Sequence, residues 1–247
     1  MNVYYVAVVA SGRLAATIKL GKVWRRDGGF GKKRRFYAPL VVTLANIYLR
    51  LTGAGLRLLT NREWLSWEQE VWRRSGRDAR VSGAELLMPE IPGVPLSSIL
   101  ASGASRNQKA TAIATSLREL HRLHHELGLT HSDAATHNVH YEPLEVRAWW
   151  FDYESRHEGK SPGWRRAQDV AAFLSSAAAK TGPDLEILEA VVPEAYPEPA
   201  ILGQALDMLN DWRSHPVLLQ LIQAPWSCAR LAALQRLRER SAIPVIP

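Results

Sequence analysis

The segment PEIPGVP at residues 89–95 is the feature of this sequence that most constrains the fold. It holds three prolines and a glycine within seven residues, a composition that ends regular secondary structure and is typical of a linker. Short runs of strand-like pattern precede it, and mainly helical patterns follow it. We therefore expect an α+β fold with a small strand-rich N-terminal lobe, residues 1–88, and a larger, mainly helical C-terminal lobe, residues 89–247.

Composition indicates a chain that can bury a core without disulfides. Of the 247 residues, 47% are hydrophobic, which is enough for one compact domain or two small lobes. Cys228 is the only cysteine, so an internal disulfide and a cysteine-rich metal site are excluded. Arg50 and Arg57 interrupt the longest apolar run, and no basic segment precedes the apolar N-terminus, so we expect neither a membrane span nor a signal peptide. These features predict a cytoplasmic protein, and peripheral contact of residues 36–59 with the inner face of a membrane stays open.

A lysine in a predicted strand is the first candidate for a functional residue. Residues 2–9 and 13–20 have the β-branched and aromatic content of two strands joined by a short turn. The run AATIKL places Lys19 near the end of the second strand. Lys22 is the alternative, but Gly21 is expected to interrupt the strand before it.

A dense basic cluster follows, made of Arg25, Arg26 and residues 32–35, in a chain of formal charge +7. Such a cluster is either a solvated loop or a surface that attracts an anionic partner. We expect an anionic sugar or glycolipid as that partner, and no nucleic acid.

The stretch NREWLSWEQEVWRRSG predicts a helix that begins at Asn61 as N-cap and stops at Gly76. Its apolar residues fall on one helical face: Trp64, Trp67, Val71 and Trp72. Glu68 lies in the middle of that face, whereas Glu63 and Glu70 point away from it. Because an unpaired buried carboxylate is costly, Glu68 requires a cationic partner. We expect Lys19 to supply it.

Polar residues at fixed spacing follow a predicted helix and a predicted strand. The stretch LTHSDAATHNVHY places Asp133 and Asn138 five residues apart in a loop, and Asp152 ends the apolar strand VRAWWF. Carboxylate and amide oxygens are the ligands that Mg²⁺ takes, together with phosphate oxygens and water. The pattern therefore predicts a magnesium site formed by Asn138 and Asp152, with Asp133 free to accept a proton from a hydroxyl.

This arrangement resembles the protein-kinase-like superfamily. The catalytic loop H-R-D-x-x-x-x-N of that family is matched by His131, Ser132, Asp133 and Asn138, and its D-F-G by Asp152, Tyr153 and Glu154. The resemblance implies a bilobal kinase-like fold that uses ATP and Mg²⁺. It makes Asp133 the catalytic base, Asn138 and Asp152 the metal ligands, and Lys19 with Glu68 the clamp on the nucleotide phosphates. It also implies that backbone groups at Met88, Glu90 and Ile91 form the hinge that binds adenine, and that Asp169 braces the catalytic loop.

The departures from the family pattern point to its small bacterial members. With Lys19 as the clamp lysine, the first strand and the Gly-rich loop of the family are missing, and no A-P-E segment follows Asp152. The chain is most similar to bacterial lipopolysaccharide kinases of the Kdo and core-heptose type. That similarity rests on the stretches RRDGGFGKK, REW, HSDAATHN and GWRRAQDVAAFL. It implies that His137 positions the loop or the substrate, and that the acceptor is a sugar hydroxyl of lipopolysaccharide or another glycan.

Three other functions share these residues: a small RIO-type protein kinase, an aminoglycoside- or choline-type kinase, and a nucleotide-binding pseudokinase. Aminoglycoside- and choline-type kinases usually recognise cationic acceptors through acidic groups, and this chain is basic.

Four further histidines, His121, His124, His125 and His140, raise the question of a zinc site. Because no carboxylate lies at matched spacing, we expect a solvated helix face there rather than a metal site.

Overall fold

The structure is a computed structural model that describes residues 6–9, 15–18, 21–26, 29–181, 184–210, 236–237 and 239. The described residues form an α+β fold. The strands are β1 (Val6–Val9), β2 (Ala15–Ile18), β3 (Gly21–Arg26), β4 (Gly29–Arg34), β5 (Leu56–Leu58), β6 (Arg80–Ser82), β7 (Glu85–Pro89), β8 (Val94–Pro95), β9 (Val139–Glu142), β10 (Arg147–Trp150) and β11 (Ser155–His157). The helices are α1 (Ala38–Leu51), α2 (Asn61–Arg74), α3 (Leu96–Ala101), α4 (Arg106–His125), α5 (Pro162–Thr181), α6 (Glu186–Ala195) and α7 (Pro199–Asn210).

The chain divides into two compact units. The first contains the described residues up to Ile91 together with Asp152–Gly159, and the second contains Pro92–Phe151 and the described residues from Lys160 onward. The division thus falls after Ile91 instead of Met88, and a segment that includes Asp152 returns to the N-terminal unit. Within the described ranges, no helix is both long and apolar enough to cross a bilayer.

The first unit is built around an antiparallel sheet of order β3-β4-β7-β6. Strand β4 pairs with β7 in a register that sets Lys32 opposite Leu86 and Gly29 opposite Pro89. A Cβ atom at Gly29 would lie 2.1 Å from the carbonyl oxygen of Met88, so only glycine allows the two strands to approach this closely. Two smaller antiparallel pairs, β1-β2 and β11-β5, complete the strands of this unit.

Helix α2 begins one residue earlier than its sequence suggests. Thr60, not Asn61, is the N-cap: its side chain accepts from the Glu63 backbone N–H, and the Glu63 carboxylate accepts from the Thr60 N–H. This capping box fixes the start of the helix. The helix ends at Arg74 and Gly76 adopts φ 75°. The predicted face is largely buried, with Trp64 and Trp72 in the core.

We expect protonation of Glu63 at acid pH to lower the free energy of unfolding. Hydrogen bonds from Arg57 and from the Thr60 backbone lower the pKa of Glu63 to about 2. Because the folded pKa lies below the ordinary value of 4.5, the stabilisation is complete above that value and is lost as pH falls toward 2. The side chain is 44% exposed, so solvent screening reduces the effect to ~1 kcal/mol. Urea unfolding from pH 6 to pH 2.5 should therefore show a shallower loss in Glu63→Gln than in the wild type, and identical slopes would contradict the assignment.

The second unit places helices around the antiparallel sheet β10-β9-β8. The contacts of α4 with α6 and β10, and of α5 with α7 and α3, form its core. Trp150 at the end of β10 donates its indole N–H to the Ser116 carbonyl at 3.1 Å and lies edge-on to Phe173. These contacts fix the end of β10, from which the chain continues to Phe151 and Asp152.

Candidate active site

The N-terminal unit contains a buried ion pair between Lys32 on β4 and Glu68 on α2. The Lys32 Nζ lies 3.0 Å from Glu68 Oε2, and both side chains are 1% exposed. The indole N–H of Trp64, one helical turn before Glu68, donates to the same carboxylate. Lys32 Nζ also lies 5.0 Å from the centre of the Trp64 ring. Sheet, helix and aromatic ring therefore hold the ammonium group in one position.

Two further carboxylates reach the same ammonium group. Lys32 pairs with Asp152 and lies 3.2 Å from Glu154 Oε1. Arg34, two residues along β4, is the second cation: it donates to the Leu59 carbonyl and lies 3.7 Å from Glu154. We call Lys32, Arg34, Glu68, Asp152 and Glu154 the lysine cluster. Three carboxylates against two cations leave it with a formal excess of one negative charge.

The electrostatics of the lysine cluster favour binding of a further cation. Burial raises the pKa of Asp152 well above its ordinary value, and the carboxylates of Glu154 and Glu68 raise it further, against the opposing effect of Lys32. A carboxyl group in this environment is stabilised as a carboxylate by any added positive charge. Carboxylate oxygens are the hard donors that Mg²⁺ prefers. The residues present thus fit a magnesium ion held in part by Asp152.

The structure describes Lys32 as the cationic partner of Glu68. The sequence predicted Lys19 in that role, and Lys19 lies outside the described residues. The sequence carries a signal for the strand that bears Lys32: Asp27-Gly28, between the runs GKVWRR and GFGKKR, is the strongest type of short-range hairpin signal. Since β1, β2 and β3 all precede the lysine-bearing strand, the expectation of a missing first strand no longer holds. The turn with Ser11 and Gly12 lies outside the described residues.

The prediction that the basic cluster carries surface charge is also corrected in part. Lys32 and Arg34 are buried and paired within the unit, so they cannot act as surface charges. Arg25 is exposed and pairs with Glu90 at 3.2 Å, and Lys33 is half exposed. The alternation follows from the strand, since successive side chains of β4 point to opposite faces of the sheet.

The loop before β9 in the second unit brings Asp133 and Asn138 together. The Asn138 side-chain amide donates to the Asp133 backbone carbonyl at 2.9 Å and to its carboxylate at 3.0 Å. Asn138 is buried, whereas Asp133 is exposed. The amide oxygen of Asn138 takes no part in these two bonds. The loop therefore presents a solvent-accessible carboxylate and a fixed amide oxygen, which suit proton acceptance and cation binding respectively.

Asp169 on α5 braces this loop, as the family resemblance implied. Its fully buried carboxylate accepts the backbone N–H groups of His131 and Ser132, each at 2.6 Å. His124 on α4 lies 3.0 Å from the same carboxylate and 2.7 Å from the Tyr196 hydroxyl. Burial raises the pKa of Tyr196, so its phenol stays protonated as a donor. The sequence indicated Asp169 but not His124 and Tyr196, because these residues meet only through tertiary packing.

His131 and His137 differ in their surroundings. The His131 ring is buried, its Nε2 donates to the Phe151 carbonyl at 2.8 Å, and it contacts the Trp150 ring edge-on. These contacts hold the strand end that precedes Asp152, and the catalytic role of His131 stays a prediction. His137 is exposed in the loop, where contact with a substrate remains a prediction.

Backbone strain coincides with the predicted motifs. The described non-glycine residues with positive φ are Ser132 at 64°, Asp152 at 72° and Val146 at 52°. Such conformations cost roughly 1–3 kcal/mol each and persist where the surrounding contacts enforce them. Ser132 precedes Asp133, and Asp152 belongs to the lysine cluster. Val146 lies in the turn between β9 and β10.

The predicted hinge residues lie at the end of β7. Strand β6 pairs with β7 as far as Leu87, whereas β4 continues to Pro89. Met88 is buried, and the Glu90 carbonyl accepts from Arg77 at 3.1 Å. Ile91 is the last residue of this part of the first unit. The backbone of Met88 and Pro89 therefore extends beyond the β6 pairing, a place where a flat heterocycle can add hydrogen bonds to a strand edge.

No protein-family model matches the chain, and no curated protein is significantly similar to it. The function is therefore inferred from the residues and contacts described above.

Proposed function

We propose that this chain is an ATP- and Mg²⁺-dependent phosphotransferase with a protein-kinase-like bilobal fold. The observation that carries the proposal is the buried contact of Lys32 with Glu68 and Asp152. A lysine in a sheet, held by a helical glutamate and next to the carboxylate that follows the apolar strand, has the residue types of a nucleotide-phosphate clamp. The raised pKa of Asp152 supports the same conclusion, because the positive charge of a bound metal would stabilise its carboxylate form.

The roles divide between the two units. In the first, Lys32 binds nucleotide phosphate, Glu68 orients Lys32, and Asp152 holds Mg²⁺, which neutralises phosphate charge when bound. Backbone groups at Met88, Glu90 and Ile91 bind adenine. In the second, Asp169 and His131 position the loop, Asp133 is the base, and Asn138 supplies an amide oxygen that suits a metal ion.

The proposed reaction is an in-line transfer to an alcohol. An acceptor hydroxyl oxygen forms a bond to the γ-phosphorus of ATP as the bond to the bridging oxygen breaks, and ADP leaves with that electron pair. The hydroxyl proton passes to the exposed carboxylate of Asp133. Positioning and charge neutralisation supply most of the rate acceleration in such sites.

The proposed acceptor is an anionic sugar, in particular the sugar of a glycolipid such as lipopolysaccharide. The formal charge of +7 supports this choice over cationic acceptors. So does the exposed apolar face of helix α1, where four large side chains follow helical spacing and are 52–82% exposed: Leu40, Leu44, Ile47 and Leu51. An apolar helix face on a basic protein suits the surface of an anionic bilayer.

The test of the function is an acceptor screen with γ-labelled ATP. We expect label to move to anionic glycolipids in a Mg²⁺-dependent reaction, and not to basic proteins or aminoglycosides. Transfer to a protein serine would favour the RIO-type alternative, and transfer to a cationic amino sugar the small-molecule alternative. Mg²⁺-dependent ATP binding without transfer to any acceptor would make the chain a pseudokinase.

The exposed face of α1 leads to a prediction on membrane binding. Replacing both Leu44 and Ile47 by Asp should weaken binding to vesicles that contain anionic lipid at least tenfold, since each large apolar side chain contributes on the order of 1 kcal/mol on partial burial. Vesicle co-sedimentation measures the effect. Leu144→Asp is the matched control, because Leu144 is 95% exposed and lies in the second unit. Equal binding of the wild type and the double variant would exclude α1 as the contact surface.

A further inference from the structure

Three side chains at one end of the second unit bring metal-binding atoms together. His121 and His125 lie one turn apart on α4 with stacked rings, and Glu198 directly precedes α7. Their ligand atoms all lie within 4.8 Å of one another. The His121 Nε2 is 3.7 Å from Glu198 Oε1, and the His125 Nε2 is closer still. The structure thus supplies the carboxylate that the sequence did not reveal, since Glu198 is 73 residues from His125.

The contacts of His125 conflict with each other. Its Nε2 lies close to the Glu198 carboxylate, which only accepts hydrogen bonds, and 3.0 Å from the Arg166 guanidinium, which only donates them. The first contact needs a proton on Nε2 and the second needs a lone pair there. No tautomer satisfies both. A cation that binds the nitrogen lone pair and the carboxylate oxygen together would resolve the conflict.

The neighbouring histidine is excluded as a ligand. His124 is buried and already contacts Asp169 and Tyr196. His121, His125 and Glu198 are in contrast partly exposed, at 28%, 35% and 24% of their side-chain areas, so an ion can reach them from solvent. Two imidazole nitrogens and one carboxylate are a ligand set for Zn²⁺, with a fourth position left for water. In a tetrahedral site, ligand atoms about 2.05 Å from the metal lie roughly 3.3 Å apart, which is near the 3.7 Å between His121 and Glu198.

We propose that His121, His125 and Glu198 form a Zn²⁺ site. Arg166 competes with the ion, because its guanidinium also lies 3.2 Å from Glu198 Oε2, and must turn away when zinc binds. The site is independent of the proposed phosphotransferase reaction. It would join the C-terminal turn of α4 to the start of α7.

Zinc binding to the chelator-treated full-length protein tests the proposal, with a competing fluorescent indicator as readout. We expect one Zn²⁺ per chain, at least tenfold weaker binding in His121→Ala and in Glu198→Gln, and tighter binding in Arg166→Gln. His137→Ala and Cys228→Ser are the controls, since each removes a metal-binding residue type at another position of the sequence, and neither should change the affinity. Co²⁺ bound to the wild type should give the intense visible bands of a four-coordinate site.

Absence of binding at 100-fold excess Zn²⁺ over chain would overturn the proposal. So would undiminished affinity in both His121→Ala and Glu198→Gln, or loss of binding in Cys228→Ser. A Co²⁺ spectrum of the weak, octahedral type would contradict the coordination, whether or not the variants fold.

Discussion

Replacing Lys32 by Met should reduce phosphate transfer by about 10²–10³-fold, the usual effect of removing one charged or hydrogen-bonding group that stabilises a transition state. The same change should lower the free energy of unfolding by about 3–5 kcal/mol at pH 7, because it leaves the buried Glu68 and the part-buried Asp152 and Glu154 without their shared cation. Steady-state kinetics and urea unfolding measure the two effects.

The stability loss should depend on pH in a defined direction. Burial raises the pKa of Asp152 and Lys32 opposes that shift, so without Lys32 this pKa rises further and the fold binds a proton that the unfolded chain releases. The unfavourable effect of the Asp152 carboxylate is then absent below the unfolded pKa, grows as pH rises from there, and is complete above the folded pKa. The stability difference between wild type and Lys32→Met should therefore be smaller at pH 5 than at pH 8.

Lys33→Met is the matched control, since it makes the same change one residue along β4, where the side chain is half exposed. It should leave turnover and stability nearly unchanged. The double variant Lys32→Met, Glu68→Gln should recover part of the stability but none of the turnover, because the buried charge is reduced while the phosphate ligand stays absent. Equal effects of the Lys32 and Lys33 substitutions would contradict the proposed role of the lysine cluster in turnover and stability.

Replacing Asp133 by Asn should reduce transfer by about 10²–10⁴-fold, the range associated with the loss of a general base, while ATP affinity changes less than twofold. The amide has the shape of the carboxylate and can still accept from Asn138 through its oxygen, so the loop geometry is retained. Single-turnover transfer and nucleotide titration separate the two quantities.

Asp78→Asn serves as the control for that experiment, because Asp78 is an exposed aspartate of the first unit outside the lysine cluster. It should behave as the wild type in both assays. Wild-type turnover in Asp133→Asn would show that the loop carboxylate is not the base. A parallel loss of ATP affinity would assign Asp133 to nucleotide or metal binding.

The sequence predicted local features well where one element carries the pattern. Glu68 could be assigned to the buried face of α2 because its neighbours at helical spacing are tryptophans, and the loop with Asp133 and Asn138 could be recognised from spacing alone. The bracing role of Asp169 was implied by the family resemblance and not by the local pattern alone. The α+β class followed from the change of periodicity at residues 89–95.

Contacts between residues on different secondary-structure elements could not be predicted from local sequence patterns. Lys32 was grouped with surface charges because KKRR reads as a basic run, although strand alternation buries Lys32 and Arg34 and exposes Lys33. The place of Glu154 in the lysine cluster depends on the path of the chain after Asp152. Glu198 joins the histidines of α4 only because α7 packs near that end of the unit, a contact with no signature in local spacing.

The central claim, that the lysine cluster binds Mg-nucleotide, is tested most directly by calorimetric titration with a non-hydrolysable ATP analogue. We expect binding to the wild type that requires Mg²⁺, and at least tenfold weaker binding in both Lys32→Met and Asp152→Asn, with Lys33→Met unchanged. Binding that is indifferent to Mg²⁺ and to both cluster substitutions, or no binding by the wild type at millimolar analogue, would contradict it.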